Sequence, residues 1–500
     1  MRITNKVMQN NALVNINKNK ELQDSLNTQL STGKKIYRPS EDPVTAIRAL
    51  RLRSDVSQVS QYYKKNVPDA NSWLELTESA VKTTIAVVTD MIGQCEKGSN
   101  DTLTIDDRQT IINSMKQLRD EVYATGDADY AGRYIFTGYR TDTSLSFTEN
   151  TMQQFNITQR FTGDDLDEET YVDTANLKEC TEANFEAGGT SLIAEQDVEP
   201  ETFYRVRLAY NNLDAANAPT SITVGGVNIA NITVENDKTA AYKNAANGAG
   251  TYFIPSTGEI VFDKNVYTAI KNSTDSFDIT YSKTNWQDGD LRPQHYFYCT
   301  TTDEKGVPVE YNPEYLTDGK VDQEIEYQIG FSQFIRINTS AGEIYQHDIG
   351  RDVDELINLA NQLTEVENTQ STLKDMIKDT TKYSTAQVEN INRDLAAANK
   401  AVTYIKDQLQ KKFSSCIGSM QSYLDDANES LTVVGNRSAR LELIDNRLES
   451  QTTTFKTLQS ENEDADATEV AVQLSSAQVN YEAALMATSE MIQKTLLNYL

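Results

Sequence analysis

"STGKKIYRPSEDPVTAIRALRLRSDV", residues 31–56, separates one helical pattern from the next. Gly33 follows the apolar–polar stretch of residues 5–31 and suits the left-handed position just past a helix end. Pro39 and Pro43 lack the N–H that a helix interior requires. Asp42 can accept hydrogen bonds from the first free N–H groups of a following helix, with Pro43 at its first position. The segment therefore reads as stop, short loop, restart. Taken alone, it fits an ordinary helix–loop–helix corner equally well.

Composition narrows the function classes. A chain of 500 residues allows on the order of two to four domains. Its formal charge is −28, from 74 acidic and 46 basic residues, which disfavours nucleic acid as a partner. The same excess suits a protein displayed in water outside the cell. No apolar run is long enough to span a membrane. The polar, asparagine-rich start, "MRITNKVMQNNALVNINKNK", is not a conventional secretory signal peptide, so any export must use another route. Cys95, Cys180, Cys299 and Cys416 are scattered without ligand spacing and read as buried free thiols. With His295 and His347 as the only histidines, no metal, cofactor or catalytic constellation is expected.

Along the chain, helix gives way to strand and then to helix again. Leu74, Val81, Val88 and Cys95 recur every seventh residue, with Thr77, Thr84 and Met91 between them. Ile111, Met115, Leu118 and Val122 keep spacings of three and four, as do Leu52, Val56, Val59 and Tyr63 after the first hinge. Such narrow apolar stripes mark helices packed lengthwise. Strands are expected in "GRYIFTGYRT" (132–141), "SITVGGVNIA" (221–230, a hairpin turning at Gly225-Gly226), "TYFIPSTGEIVF" (251–262), "DSFDITYS" (275–282) and "QFIRIN" (333–338). Helical spacing returns with Leu356, Leu359, Leu363 and Val366. It then runs through Val388, Ile391, Leu395, Ala398, Val402, Ile405 and Leu409 toward Val434. A helix over 388–434 would be roughly 70 Å long.

A second hinge follows. "ENEDADATEV" (461–470) is acidic and lacks apolar periodicity, and Asp466 with Glu469 is expected to form a capping box. The last helix carries Val470, Leu474, Ala477, Tyr481, Ala484, Thr488 and Met491 along one side. At the other terminus, seven of the first thirty residues are asparagine, a poor helix former. Both ends are expected to be mobile in a monomer and to become ordered on assembly.

These motifs carry a resemblance. "MRIT", "QLSTGKKIYRPSEDPVTAIRAL", "GRYIFTGYRT", "ENEDADATEV" and "LSSAQVNYEAALMATSEMIQKTLLNYL" resemble the bacterial flagellar hook–filament junction proteins, the hook-associated protein 3 family of flagellin relatives. The likeness covers about the first 140 and last 150 residues. "RPSEDPV" is similar to the family's hinge pattern, with Glu41 where Asp is typical, and "TLLNYL" is closer to the junction protein than to flagellin. The central stretch of about 200 residues is longer than the family pattern.

The resemblance implies an α+β, flagellin-like fold: a long α-helical coiled-coil rod built from both terminal segments, with an inserted β-rich module. It implies terminal helices 1–38 with 465–500 as an assembly-dependent inner layer, a rod of 39–145 with 350–464, and an outer β module of 146–349. Pro39, Ser40, Asp42, Pro43, Asp464 and Asp466 would form the inter-layer hinge. Leu474, Tyr481, Leu485, Met491, Leu496, Leu497 and Leu500 would serve assembly and chaperone binding. The implied role is structural: joining the hook, through hook-associated protein 1, to the flagellin filament, in a ring of copies. Export by the flagellar type III apparatus, after binding an export chaperone, would place it outside the cell.

Rival readings are a flagellin-type filament subunit and a secreted coiled-coil adhesin. One local feature stays open. Lys34, Lys35, Arg38, Arg48, Arg51 and Arg53 form a basic island in an acidic chain. It is either a solvated face or a contact with acidic residues of an adjacent subunit, such as Asp425, Asp426 or Glu429.

Overall fold

The computed structural model describes residues 5–100, 103–186, 190–224, 227–302, 305–379 and 381–493. Helices α1 (Asn5–Thr32), α2 (Pro43–Gln61), α3 (Val67–Gly98) and α4 (Ile105–Gly126) come first, with a π-helical turn, Tyr62–Asn66, joining α2 to α3. Short helices α5 (Ala175–Lys178), α6 (Glu182–Glu186), α7 (Lys238–Ala246), α8 (Lys264–Lys271) and α9 (Tyr315–Asp318) interrupt the strand-rich middle. Helices α10 (His347–Lys378), α11 (Thr385–Glu463) and α12 (Ala467–Gln493) follow. Terminal helices thus flank a central insert of open sheets, an α+β architecture of the class expected.

The chain forms two compact units. One comprises Met1–Asn71, Tyr327–Ile335 and Ala439–Leu500; the other comprises Ser72–Glu326 and Arg336–Ser438. In the second, the seven-residue spacing of α3 has a clear use. Leu74, Thr77, Val81, Thr84, Val88, Met91 and Cys95 are all buried. Thr77 and Thr84 donate to the carbonyls of Trp73 and Ala80, at 2.8 and 3.0 Å, so their hydroxyls enter the core satisfied. The stripe meets α11: a Cβ at Gly98 would collide with the Phe413 ring. On α11, Ile391, Ala398, Val402, Ile405, Leu409, Cys416 and Met420 are buried in turn. The four cysteines are buried and unbridged.

Two principal sheets fill the insert. A five-stranded sheet runs Leu166–Val172, Pro200–Arg207, Glu259–Phe262, Tyr252–Ile254, Thr233–Val234, antiparallel except for its last pair. A four-stranded antiparallel sheet runs Phe277–Trp286, Thr151–Phe161, Tyr298–Thr302, Pro308–Tyr311. In its edge strand Phe277, Ile279 and Tyr281 are buried while Asp278 and Thr280 are exposed, the alternation of a sheet with one covered face. Ser221–Val224 pairs with Val227–Ala230 as expected, and Gly225 and Gly226 lie outside the described residues.

"GRYIFTGYRT" departs from expectation. Only Arg133–Tyr134 pairs, with Asp129–Tyr130, and the rest is turn. Gly132 and Gly138 both have positive φ, 78° and 61°, which reverses the chain before a strand can extend.

A buried ion network ties the strand Pro200–Arg207 to α10 and α11. Arg205 contacts Glu259 and Glu355, and Glu355 also meets Lys412. Arg207 lies 2.7 Å from Asp352 and 3.3 Å from Glu355. Burial opposes charge at Glu355, but Arg205, Arg207 and Lys412 overrule it and hold the carboxyl well below the usual carboxylate range.

Both histidines belong to packing in this unit. His295 is buried and donates from Nε2 to the Ser144 carbonyl at 3.0 Å. His347 sits among the rings of Tyr210, Tyr296 and Phe297 and hydrogen-bonds the Tyr210 hydroxyl at 2.8 Å. Among the described residues, no cluster of His, Cys, Asp and Glu could hold a metal ion, and no helix is long and apolar enough to cross a membrane.

Candidate assembly hinge

The two hinge segments lie together in the first unit. Gly33 ends α1 at φ 66°, its N–H bonded to the Gln29 carbonyl at 2.8 Å. Asp42 caps α2: its carboxylate accepts from the N–H groups of Val44 and Thr45 at 3.0 and 3.1 Å and from the Thr45 hydroxyl. Those bonds, the Thr45 hydroxyl foremost, lower its pKa. Pro43 occupies the first helical position, as its missing N–H predicts. Pro39, Ser40 and Pro43 are exposed.

The second hinge is shorter than its sequence suggests. Rather than dissolving over residues 461–470, α11 continues to Glu463 and α12 begins at Ala467. Acidic residues without an apolar stripe can still be helical when neighbours hold them, and here the first hinge does so. Asp466 caps α12 by accepting from Thr468 and Glu469 N–H groups at 2.8 and 3.3 Å. The reciprocal half of the expected capping box is replaced by another contact: Glu469 accepts from Gln473 at 2.9 Å.

A clamp joins the two hinges. Backbone bonds run from Lys35 N–H to the Glu463 carbonyl (2.7 Å) and from Ala465 N–H to the Gly33 carbonyl (2.9 Å), around an antiparallel bridge of Lys34 and Asp464. The Arg53 guanidinium grips Glu463 through Nε and Nη2, each at 2.7 Å. Lys34 Nζ reaches Asp464 at 2.6 Å and Glu463 at 3.4 Å. The bidentate geometry fixes orientation as well as charge. Arg53 and Lys34 lower the pKa of Glu463 and Asp464 respectively, and both cations are raised in turn. Carboxylates depressed in this way stabilise the fold above the ordinary carboxylate range, and the contribution is lost as pH falls through their folded values. The clamp is therefore intact at neutral pH and fails in acid.

Glu463 meets Arg53, Lys34 and, through its carbonyl, Lys35, yet nothing in the local sequence singles it out among Glu461, Asp464 and Asp466. A Glu463→Ala variant should open the hinge loop to protease. Trypsin cleavage after Lys34 or Lys35 is expected to accelerate roughly tenfold, the equivalent of about 1.5 kcal/mol for a lost charged hydrogen-bond pair. An unchanged digestion rate would show that the backbone bridge alone holds the loop.

Beyond the clamp, α1 and α12 pack along their length. Their shared core is thin: Leu26, Val470 and Ala477, with Ala465 and Leu474 against it. Tyr481, like Leu474, is half-buried, whereas Leu485 is exposed. Met491 belongs to α12, and Leu496, Leu497 and Leu500 lie outside the described residues. The π-helical turn after α2 is braced by residues 327–335: Tyr62 meets Phe331 edge-on at 5.8 Å, and Asn66 donates to the Gln328 carbonyl at 2.7 Å. Nothing in the sequence pattern signals that hairpin's role.

Residues 3–141 match the family described as "Bacterial flagellin N-terminal helical region". The chain is 34% identical over 117 residues to the flagellar hook-associated protein 3 of Escherichia coli, covering 23% of this chain and 37% of that protein. It is 30% identical over 143 residues to the protein of the same name from Salmonella typhimurium, covering 28% and 45%. A flagellin from Clostridium tyrobutyricum is 30% identical over 122 residues, covering 24% and 32%. The matched region thus spans less than half of each relative. The Xanthomonas campestris FlgL crystal structure aligns over 80% of this chain and 98% of its own at 11% identity, with a TM-score of 0.25, too low to inform the fold. Over these partial stretches the chain is similar to the bacterial flagellin N-terminal helical region and to the flagellar hook-associated protein 3 of two bacteria.

Proposed function

We propose that the chain is a structural adaptor of the bacterial flagellum, joining the hook, through hook-associated protein 1, to the flagellin filament. In this reading residues 1–38 and 465–500 join neighbouring copies in the inner wall of a tube. Residues 39–145 with 350–464 form the rod around it, and 146–349 project outward. Pro39, Ser40, Asp42, Pro43, Asp464 and Asp466 make the joint between inner and outer layers. The protein acts outside the cell after type III export, with Leu485, Met491, Leu496, Leu497 and Leu500 offered to a chaperone beforehand.

One observation carries this reading: α1 and α12 pair with too little core to account for themselves. Positions 12, 16, 19, 23 and 26 of α1 are its half-buried or buried side, and two of them are Asn19 and Gln23. Meanwhile Val7, Leu13, Val14 and Leu22 on α1, and Val472, Val479 and Met486 on α12, stand exposed. Helices gain most of their stability from packing, and apolar faces of this extent call for a cover. Neighbouring subunits supply it. In a dilute monomer, amides before residue 30 and after 470 should exchange within seconds to minutes and become protected on assembly. Strong protection in the monomer would contradict the proposal. On cells, gold label on the protein should gather at the hook–filament boundary, and a chain lacking 1–30 and 471–500 should fail to incorporate.

The flagellin match favours a second reading, a filament subunit. Electron microscopy of the purified protein separates the two: indefinite filaments favour the subunit, and failure to propagate favours the junction.

A further inference from the structure

The basic island splits in the structure. Lys34 and Arg53 are spent on Glu463, and Lys35 donates to the Glu461 carbonyl. Arg38 and Arg51 have no ion-pair partner among the described residues, and Arg48 has only the capping carboxylate of Asp42 nearby. Arg48 and Arg51 flank a row of apolar side chains on α2. Val44, Ile47 and Leu50 are 68%, 56% and 63% exposed, and Tyr37 in the adjoining loop is 66% exposed. Positions 44, 47, 48 and 51 fall at i, i+3, i+4 and i+7, so they form one face. The opposite side of α2 carries Ala46, Ala49 and Arg53 and faces the clamp, where a cleft of about 140 Å³ is lined also by Ile36, Lys34 and Glu463.

The complement lies on the outward side of α12. Val472, Val479 and Met486, 64%, 65% and 71% exposed, repeat every seventh residue, with the small Ser475 and Ser476 between the first two. Glu482 and Glu490 fall at i+3 and i+11 from Val479, on the same stripe, and neither has an ion-pair partner among the described residues. One face is apolar and cationic; the other is apolar and anionic. Both stand exposed in the same molecule, so neither covers the other within it.

We infer that the α12 stripe of one copy docks on the α2 face of a second copy, its apolar side chains against Val44 and Ile47 and its Glu482 and Glu490 toward Arg48 and Arg51. This rests on the assembly reading above and names its contact. Apolar knobs set the affinity; the opposed charges set partner and register. A second copy is favoured over an unrelated partner because a face that is apolar and opposite in charge is exposed on this same chain.

The test is self-association of the full-length protein by sedimentation velocity across concentration and salt. The double variant Arg48→Glu/Arg51→Glu should keep the wild-type circular dichroism and melting curve, since both side chains are exposed. Its self-association should weaken roughly tenfold or more at low salt, the gap shrinking at 1 M salt where the Debye length is about 3 Å. Adding Glu482→Arg/Glu490→Arg to the same chain should restore association, while Glu482→Arg/Glu490→Arg alone should lose it. If wild type associates and the charge reversals leave it unchanged, this contact is wrong while assembly through the terminal helices stands. If the quadruple variant is not rescued, the pairing of these particular faces is wrong, and a different acidic partner for α2 is indicated. A wild type that stays monomeric at every concentration and salt also overturns the contact; the labelling experiment then judges the junction reading separately.

Discussion

Glu355→Ala should destabilise the protein by about 3–5 kcal/mol, the cost of stripping a buried ion cluster of its central anion. Glu355 lies against Arg205, Arg207 and Lys412, whose side chains are only 5%, 13% and 15% exposed. Removing it leaves Arg205 with Glu259, and Lys412 with Glu169 at 3.1 Å, while Arg207 keeps Asp352. Each cation thus retains at least one anion, but the one that all three share is gone. Since the cluster fastens the strand Pro200–Arg207 to α10 and α11, the loss should appear as a lower urea midpoint. Glu355→Gln should recover only part of it, because an amide can accept hydrogen bonds without balancing charge. A shift under 1 kcal/mol would mean that water reaches the cluster and screens it, as at surface pairs.

Mild acid should unfold the second unit, through its histidines before its carboxylates. Burial pushes the pKa of His295 and His347 down to about 3. A base whose folded pKa lies below its unfolded value near 6.5 is neutral in the fold and takes up a proton on unfolding. Its stabilising contribution is therefore complete above about pH 6.5 and is lost as pH falls toward its folded value. Two such groups give a slope of about 2.7 kcal/mol per pH unit, or roughly 5 kcal/mol between pH 6.5 and 4.5. Glu355, depressed by its cations, adds to the slope only below the ordinary carboxylate range. Urea unfolding at pH 7, 5.5 and 4.5 measures this. His295→Gln or His347→Gln should each lower stability at pH 7 and halve the slope above pH 4.5. A slope indifferent to both replacements would place the acid sensitivity elsewhere.

These two effects belong to parts of the molecule that sequence spacing could not reveal. Arg205, Glu355 and Lys412 are far apart in the chain, and each looks like an ordinary surface charge among neighbours of its kind. Only the crossing of a strand over two helices makes them mutual partners. The helices α7 and α8 also escaped notice, although Asp237 and Asp263 cap them in the manner of Asp42. At nine and eight residues they are too short for apolar periodicity to stand out. "GRYIFTGYRT" misled in the opposite sense: its aromatic and branched residues suit a strand, but two glycines at positive φ override them.

The terminal segments and the rod were legible for a simple reason. A seven-residue apolar stripe, a glycine past a helix end, and an aspartate before a proline all act through neighbours within a turn or two, so local order carries their meaning. The sequence by itself determined where α1 stops, where α2 starts, and which sides of α3, α11 and α12 turn inward. The tertiary structure alone decided that Glu463, rather than any of its acidic neighbours, closes the hinge, and that Arg53 and Lys34 are occupied while Arg38, Arg48 and Arg51 are left facing water. Those outcomes depend on residues about 400 positions apart meeting within hydrogen-bond reach. Coulombic and hydrogen-bond partners are chosen by distance in space, which the chain's order does not encode.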